Sequence, residues 1–201
     1  MNDPTDDLPE LVGHPVSEAV FTAPTAECPS PWWWSATDAE ATEQQVMVLV
    51  AALVTALQPE LVVETGTYLG IMSRMIGQAL QANGHGHLHT VECDPGRAAA
   101  AVHATAGLPV TVHVGSSLEF TPPGLVDLLW LDSHPDIRAD ELRAFWPACH
   151  DRTIVAVHDT GPQHVVRPTV EQLAAQGLIS DPLWLPTPRG VALARVCGTG
   201  R

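Results

Sequence analysis

Glu64-Thr65-Gly66-Thr67-Tyr68-Leu69-Gly70 decides the fold of this 201-residue chain, because of what stands on either side of it. Before it runs the short apolar segment Leu61-Val62-Val63, and after it Ile71 to Ala82 reads as a helix stopped by Asn83-Gly84. An apolar run, an acid, a turn with two glycines and then a helix make a strand-turn-helix joint. Glycine permits positive φ and lets a ligand lie against the backbone. The spacing is G-x-x-x-G rather than the G-x-G-x-x-G of dinucleotide sites, so a nicotinamide cofactor is disfavoured.

Downstream the pattern repeats. Leu88 to Glu92 alternates as a strand, and Pro95, at a first helical position, opens a helix to about Ala106. Val110 to Val114 is a strand ending at Gly115, and Val126 to Leu131 is a continuous apolar run ending at Asp132. Arg138 to Trp146 is helical, Thr153 to Val157 is a buried strand ending in His158-Asp159, and Thr169 to Ala175 is a helix closed by Gly177. The last two strands, Leu183 to Leu185 and Val191 to Val196, have only Pro186 to Gly190 between them. That is too short for a helical crossover and predicts an antiparallel hairpin.

Upstream, Ser35 or Thr37 is placed to cap a helix, with Asp38, Glu40 and Glu43 in its early turns. Val46, Leu49, Val50, Leu53 and Leu57 recur at helical spacing, and Pro59 ends it. Residues 1–37 read as an irregular leader with prolines at 4, 9, 15, 24, 29 and 31. Its Trp32-Trp33-Trp34 is expected to plug a sheet edge, line a substrate mouth or form a subunit contact. Residues 38–201 form one domain.

Alternating strands and helices predict an α/β protein: a doubly wound, mostly parallel sheet with a C-terminal antiparallel hairpin. Sites in such sheets lie beyond the carboxyl ends of the strands. Those ends carry Glu64 and Gly66; Glu92; Gly115, Ser116 and Ser117; Asp132; and His158 with Asp159. Acids at four of these five successive strand ends have no structural reason and mark a site.

Composition narrows the chemistry. All nine basic residues are arginine, which excludes a lysine Schiff base, a pyridoxal-phosphate anchor and a Walker A lysine. A net charge of −14 argues against nucleic acid or an anionic membrane as partner. The apolar stretch from Val46 to Leu57 is too short to span a bilayer, and Met1 to Glu10 lacks the features of a secretory signal. Four cysteines without a C-x-x-C pair suggest reduced thiols and a cytoplasmic setting. His85, His87 and His89 alternate, but read as loop and surface residues rather than as metal ligands.

Gln44 to Gly70, followed by Val91-Glu92-Cys93-Asp94-Pro95, resembles class I S-adenosylmethionine-dependent methyltransferases. The match is to the small O-methyltransferase branch that includes catechol and the macrolide and aminocoumarin sugar enzymes. It extends through Val112 to Ser117, Asp127 to His134 and Val155 to Thr160, and covers about residues 40–197. The resemblance implies a seven-stranded Rossmann-like sheet. It implies that Glu64, Gly66 and Gly70 hold the methionine end of the cofactor, with Thr67, Tyr68 and Ser73 toward its carboxylate. Glu92 would bind the ribose, Cys93 would lie along the adenine, and Gly115, Ser116 and Ser117 would border it. Asp132 would border the cofactor and, with His158 and Asp159, hold Mg²⁺ or another hard divalent cation. Here His158 stands where relatives more often have an acid, and Thr160 where many have an amide.

With no lysine available, His134 is the candidate base and His158 the next. The implied activity is O-methylation of a small-molecule hydroxyl with metal assistance, in a chain that could dimerise through its leader. Two alternatives stay open: a metal-independent methyltransferase acting on nitrogen or carboxylate, and a non-catalytic cofactor-binding protein of the same fold.

Overall fold

The computed structural model describes residues 24–200 and the short strand His14–Pro15, which pairs antiparallel with Ser35–Ala36. The remainder of the predicted leader lies outside the described residues. The seven strands of the main sheet are β1 (Leu61–Thr65), β2 (His87–Glu92), β3 (Val110–Val114), β4 (Val126–Leu131), β5 (Cys149–His158), β6 (Leu183–Leu185) and β7 (Val191–Arg195). Their order is β3-β2-β1-β4-β5-β7-β6, with β7 antiparallel to both its neighbours and the rest parallel. Leu185 faces Val191 across the predicted hairpin.

Helices cover both faces: α1 (Gln44–Leu57), α2 (Ile71–Asn83), α3 (Pro95–Ala104), α4 (Arg138–Phe145) and α5 (Val166–Ala175). Side chains alternate across a strand, so β1 and β4 feed two cores. Val63, Leu129 and Leu131 pack with Leu142 and Phe145 of α4 and Val170 and Leu173 of α5. Val62, Leu128 and Trp130 pack with Val46, Val50 and Val54 of α1 and Ile76 and Leu80 of α2. All five residues of β1 are buried, as expected of a central parallel strand covered on both sides. No helix among the described residues is long and apolar enough to cross a membrane.

One expectation needs correction. Helix α1 starts at Gln44, not near residue 37. Instead, the Asp38 carboxylate accepts from the main-chain N–H groups of Glu40 and Ala41, closing a turn. The buried stripe is Glu43, Val46, Met47, Val50 and Val54, leaving Leu57 exposed. Trp32 and Trp33 are 52% and 73% exposed, Trp34 is half-buried, and none of the three lines the central cavity.

Candidate active site

A cavity of about 730 Å³ opens at the carboxyl ends of the parallel strands. One end is built by the first two strand-to-helix turns. Gly66 (φ +78°) and Gly70 (φ +80°) turn the chain from β1 into α2. A Cβ on Gly66 would sit 2.3 Å from the Asp132 carbonyl oxygen, so this glycine lets β1's turn pack against β4's end. At Gly70 a Cβ would strike Ala101 of α3, which makes that glycine a helix-packing residue outside the cavity lining.

Between them Tyr68 adopts the left-handed region (φ +52°), uncommon for a bulky residue and often found at functional sites. That twist turns its N–H onto Glu92 Oε2 at 2.8 Å. The Glu92 Oε1 atom accepts from the Asp94 N–H at 3.0 Å and from the Cys93 thiol. A carboxylate has about four acceptor positions, so Glu92 is anchored with capacity left toward the cavity it lines. Across from it Gly115 (φ +149°) meets no atom within 4 Å of a built Cβ, leaving an open wall beside Ser116 and Ser117.

The sequence-predicted residues therefore divide. Gly66, Thr67, Tyr68, Glu92, Cys93, Gly115, Ser116, Ser117, Asp132 and His134 line the cavity. Glu64, Gly70, Ser73 and His158 do not. Glu64 and Ser73 are fully buried beneath the first turn, where the Ser73 hydroxyl donates to Glu64 Oε2. Burial outweighs the hydrogen bonds from Ser73 and Thr90 and pushes the Glu64 carboxyl up to about 7. Thr67 and Ser117 line the cavity, but their hydroxyls are engaged inward, by Thr90 and Glu141 respectively.

The other end is a charge network that the sequence does not disclose. Asp132, His158 and Asp159 do converge, with one potential ligand atom of each within 4.8 Å of the others. Those atoms are already committed. Arg138 Nη2 lies 3.2 Å from Asp132 Oδ1 and 2.8 Å from Asp159 Oδ2, and its Nη1 donates to the His158 carbonyl. Arg189 Nε lies 2.6 Å from Asp159 Oδ1. His158 Nδ1 donates to Asp132 Oδ1 at 3.0 Å and Nε2 to Glu43 Oε2 at 2.7 Å, while the Thr42 hydroxyl takes Asp132 Oδ2. Asp159 reaches both arginines from a left-handed backbone (φ +58°).

Burial alone would lower the His158 pKa. The carboxylates of Asp132, Asp159 and Glu43 reverse this and raise it to about 10. Burial would likewise raise Asp159 and Glu43, but the neighbouring cations hold both carboxyls below the usual range, with His158 foremost in each case. Among the described residues, three carboxylates (Glu43, Asp132, Asp159) thus face three cations (Arg138, Arg189, His158).

This donor set does not fit a divalent cation. A metal would need the Nδ1 proton and the Asp132 contact removed, and two guanidinium groups displaced from the carboxylates. For the same reason His158 is no base: both its nitrogens donate, and it is cationic at neutral pH. Thr160 is buried, and its hydroxyl has no hydrogen-bond partner among the described residues. His134 stands at the exposed rim, its side chain 71% accessible and its Nδ1 accepting from the Asp136 N–H.

Glu43, Arg138 and Arg189 were not foreseen as site residues, although two left traces. Glu43 falls on the apolar stripe of α1, three and four residues before Val46 and Met47. Arg138 opens α4, a position where the helix dipole disfavours a cation. His164, in the loop between β5 and α5, lines the cavity and was not foreseen either.

Solved structures share this architecture. The O-methyltransferase TomG from Streptomyces achromogenes, in complex with S-adenosylmethionine, is similar at 22% identity and a TM-score of 0.66, over 79% of this chain and 82% of its own. The S-adenosylhomocysteine-bound methyltransferase PaMTH1 of Podospora anserina is similar at 19% identity and a TM-score of 0.67, over 79% and 81%. An O-methyltransferase from Bacillus cereus in complex with S-adenosylhomocysteine is similar at 17% and 0.68, over 79% and 83%. No curated protein matches the chain. Residues 63–160, from β1 to just beyond β5, match the family model described as a methyltransferase domain. Residues 63–160 therefore match a methyltransferase domain, on a fold shared with solved methyltransferases that hold S-adenosylmethionine or S-adenosylhomocysteine.

Proposed function

We propose that the protein transfers the methyl group of S-adenosylmethionine to a hydroxyl of a small molecule without a divalent cation. The observation that carries the metal-independent half is the engagement of Asp132, His158 and Asp159 by Arg138, Arg189 and Glu43. The hydroxyl reading rests on the shared fold with solved O-methyltransferases and on a cavity of the size usual for small ligands.

Glu92 would take the ribose hydroxyls. The turn at Gly66, Thr67 and Tyr68 would face the methionine end, and Cys93 with Gly115 to Ser117 the adenine. When bound, the cofactor supplies an electrophilic methyl on a positively charged sulfur. The chain's own contribution is to seat the acceptor oxygen in line with that methyl, at the end of the cavity walled by Arg138, Asp159 and Arg189. Such positioning supplies most of the acceleration in a displacement of this kind.

The experiment is methyl transfer to a panel of phenols and aliphatic alcohols, measured with excess chelator and again with added Mg²⁺. Turnover unchanged by either treatment is expected. Activity lost in chelator and restored by Mg²⁺ would overturn the metal-independent reading.

A further inference from the structure

The cavity wall holds a histidine with an unmet need. His164 lines the cavity, and its Nε2 is buried without a hydrogen-bond partner among the described residues. An unpaired buried polar atom is costly and uncommon, and asks what satisfies it. The loop that carries it is held firmly. The His164 N–H donates to the Gly161 carbonyl, the Gly161 N–H to the Arg189 carbonyl at 2.7 Å, and the Gln163 amide to the Pro188 carbonyl. The β6–β7 turn comes so close that a Cβ on Gly190 would lie 2.1 Å from the Gly161 nitrogen. Arg189 and His164 are therefore fixed together at the cavity wall.

We propose that His164 is the catalytic base: its unpartnered Nε2 accepts a hydrogen bond from the acceptor hydroxyl and takes its proton as the methyl is transferred. This rests on the hydroxyl-methylation reading above. As the oxygen–methyl bond forms and the methyl–sulfur bond breaks, the pair from that bond stays with sulfur. The hydroxyl proton passes to Nε2 and then to solvent, so the products are a methyl ether, neutral S-adenosylhomocysteine and one proton.

The surroundings suit the role. Burial lowers the His164 pKa. Asp159 opposes that, while Arg189, His158 and Arg138 add to it, so the ring is neutral at physiological pH and able to accept. Arg138 and Arg189 line the same cavity and would face an oxygen that gains negative character there. His134, at the rim, is exposed and lacks this enclosure.

The test uses the full chain with S-adenosylhomocysteine, phenol as the probe, and ¹⁵N NMR of the histidine rings, with His164 assigned by its loss in His164→Gln. The expected result is a ring that titrates below 6.5 and whose unprotonated nitrogen shifts upfield as phenol is added. In parallel, His164→Gln should lower methyl transfer at least 100-fold, the scale of general-base catalysis, with affinity for S-adenosylhomocysteine within threefold of wild type. It should also remove the acidic limb of the pH–rate profile, which His134→Gln should retain.

A His164 ring that titrates at or above 6.5, or ignores saturating phenol, overturns the proposal whatever the turnover. So does an acidic limb that vanishes with His134 and survives loss of His164. If the ring responds as expected but no phenol or alcohol is methylated, the hydroxyl reading fails instead.

Discussion

Glu64 shows how much of one residue's role its position in the sequence conceals. An acid at the end of the first strand reads as a ligand-facing group, yet its carboxyl is fully buried and one oxygen, Oε1, has no partner. Burial raises its pKa from 4.5 to about 7, so the folded state holds a proton that the unfolded state releases. The associated stability is fully present below about 4.5 and is lost as pH rises through about 7. Glu64→Gln mimics the protonated form. By urea unfolding, wild type and variant should match near pH 4.5, and the variant should be more stable at pH 8.5 by about 3 kcal/mol. A constant difference across that range would remove burial as the cause. The legible part at this scale was the residue type at each strand end. The illegible part was which oxygens face inward, because that depends on the pairing of Glu64 with Ser73 and of Asp132 with Arg138, which no local pattern gives.

Among the elements, the turn from β1 to α2 was readable because glycine is required there, although for a reason other than ligand space. The Gly66 Cα faces the main chain after β4, so a Cβ would meet the Asp132 carbonyl at 2.3 Å. Gly66→Ala should cost about 2–4 kcal/mol, from a side chain forced into the left-handed region and from overpacking against backbone. Denaturant unfolding measures it; a loss below 0.5 kcal/mol would show that the turn yields. The order of helices and strands and the closing hairpin were also legible, since each rests on periodicity and chain length. The start of α1 was misread because Asp38 looks like a first-turn acid but caps a separate turn before it. The proximity of Gly190 to Gly161 was out of reach, because it joins segments about 30 residues apart without any shared pattern.

For the whole molecule, the parallel sheet brings Glu43, Asp132, His158, Asp159 and Arg189 to one end of the cavity, from segments spread over the length of the domain. Sequence order could place the acids at strand ends. It could not show that the cations already neutralise them, since nothing local marks Arg189 among nine arginines and the unusual place of Arg138 at the start of α4 does not name its partners. The opposite end, with Glu92 and the open wall at Gly115, is where the cofactor is expected. The most direct measurement is calorimetric titration of S-adenosylhomocysteine into the protein in the presence of chelator. Saturable one-site binding is expected without any metal, weakened roughly 10- to 150-fold by Glu92→Ala, as for loss of hydrogen bonds to a charged group worth about 1.5–3 kcal/mol. No measurable affinity in the wild-type protein, or affinity that appears only when Mg²⁺ is restored, would contradict it.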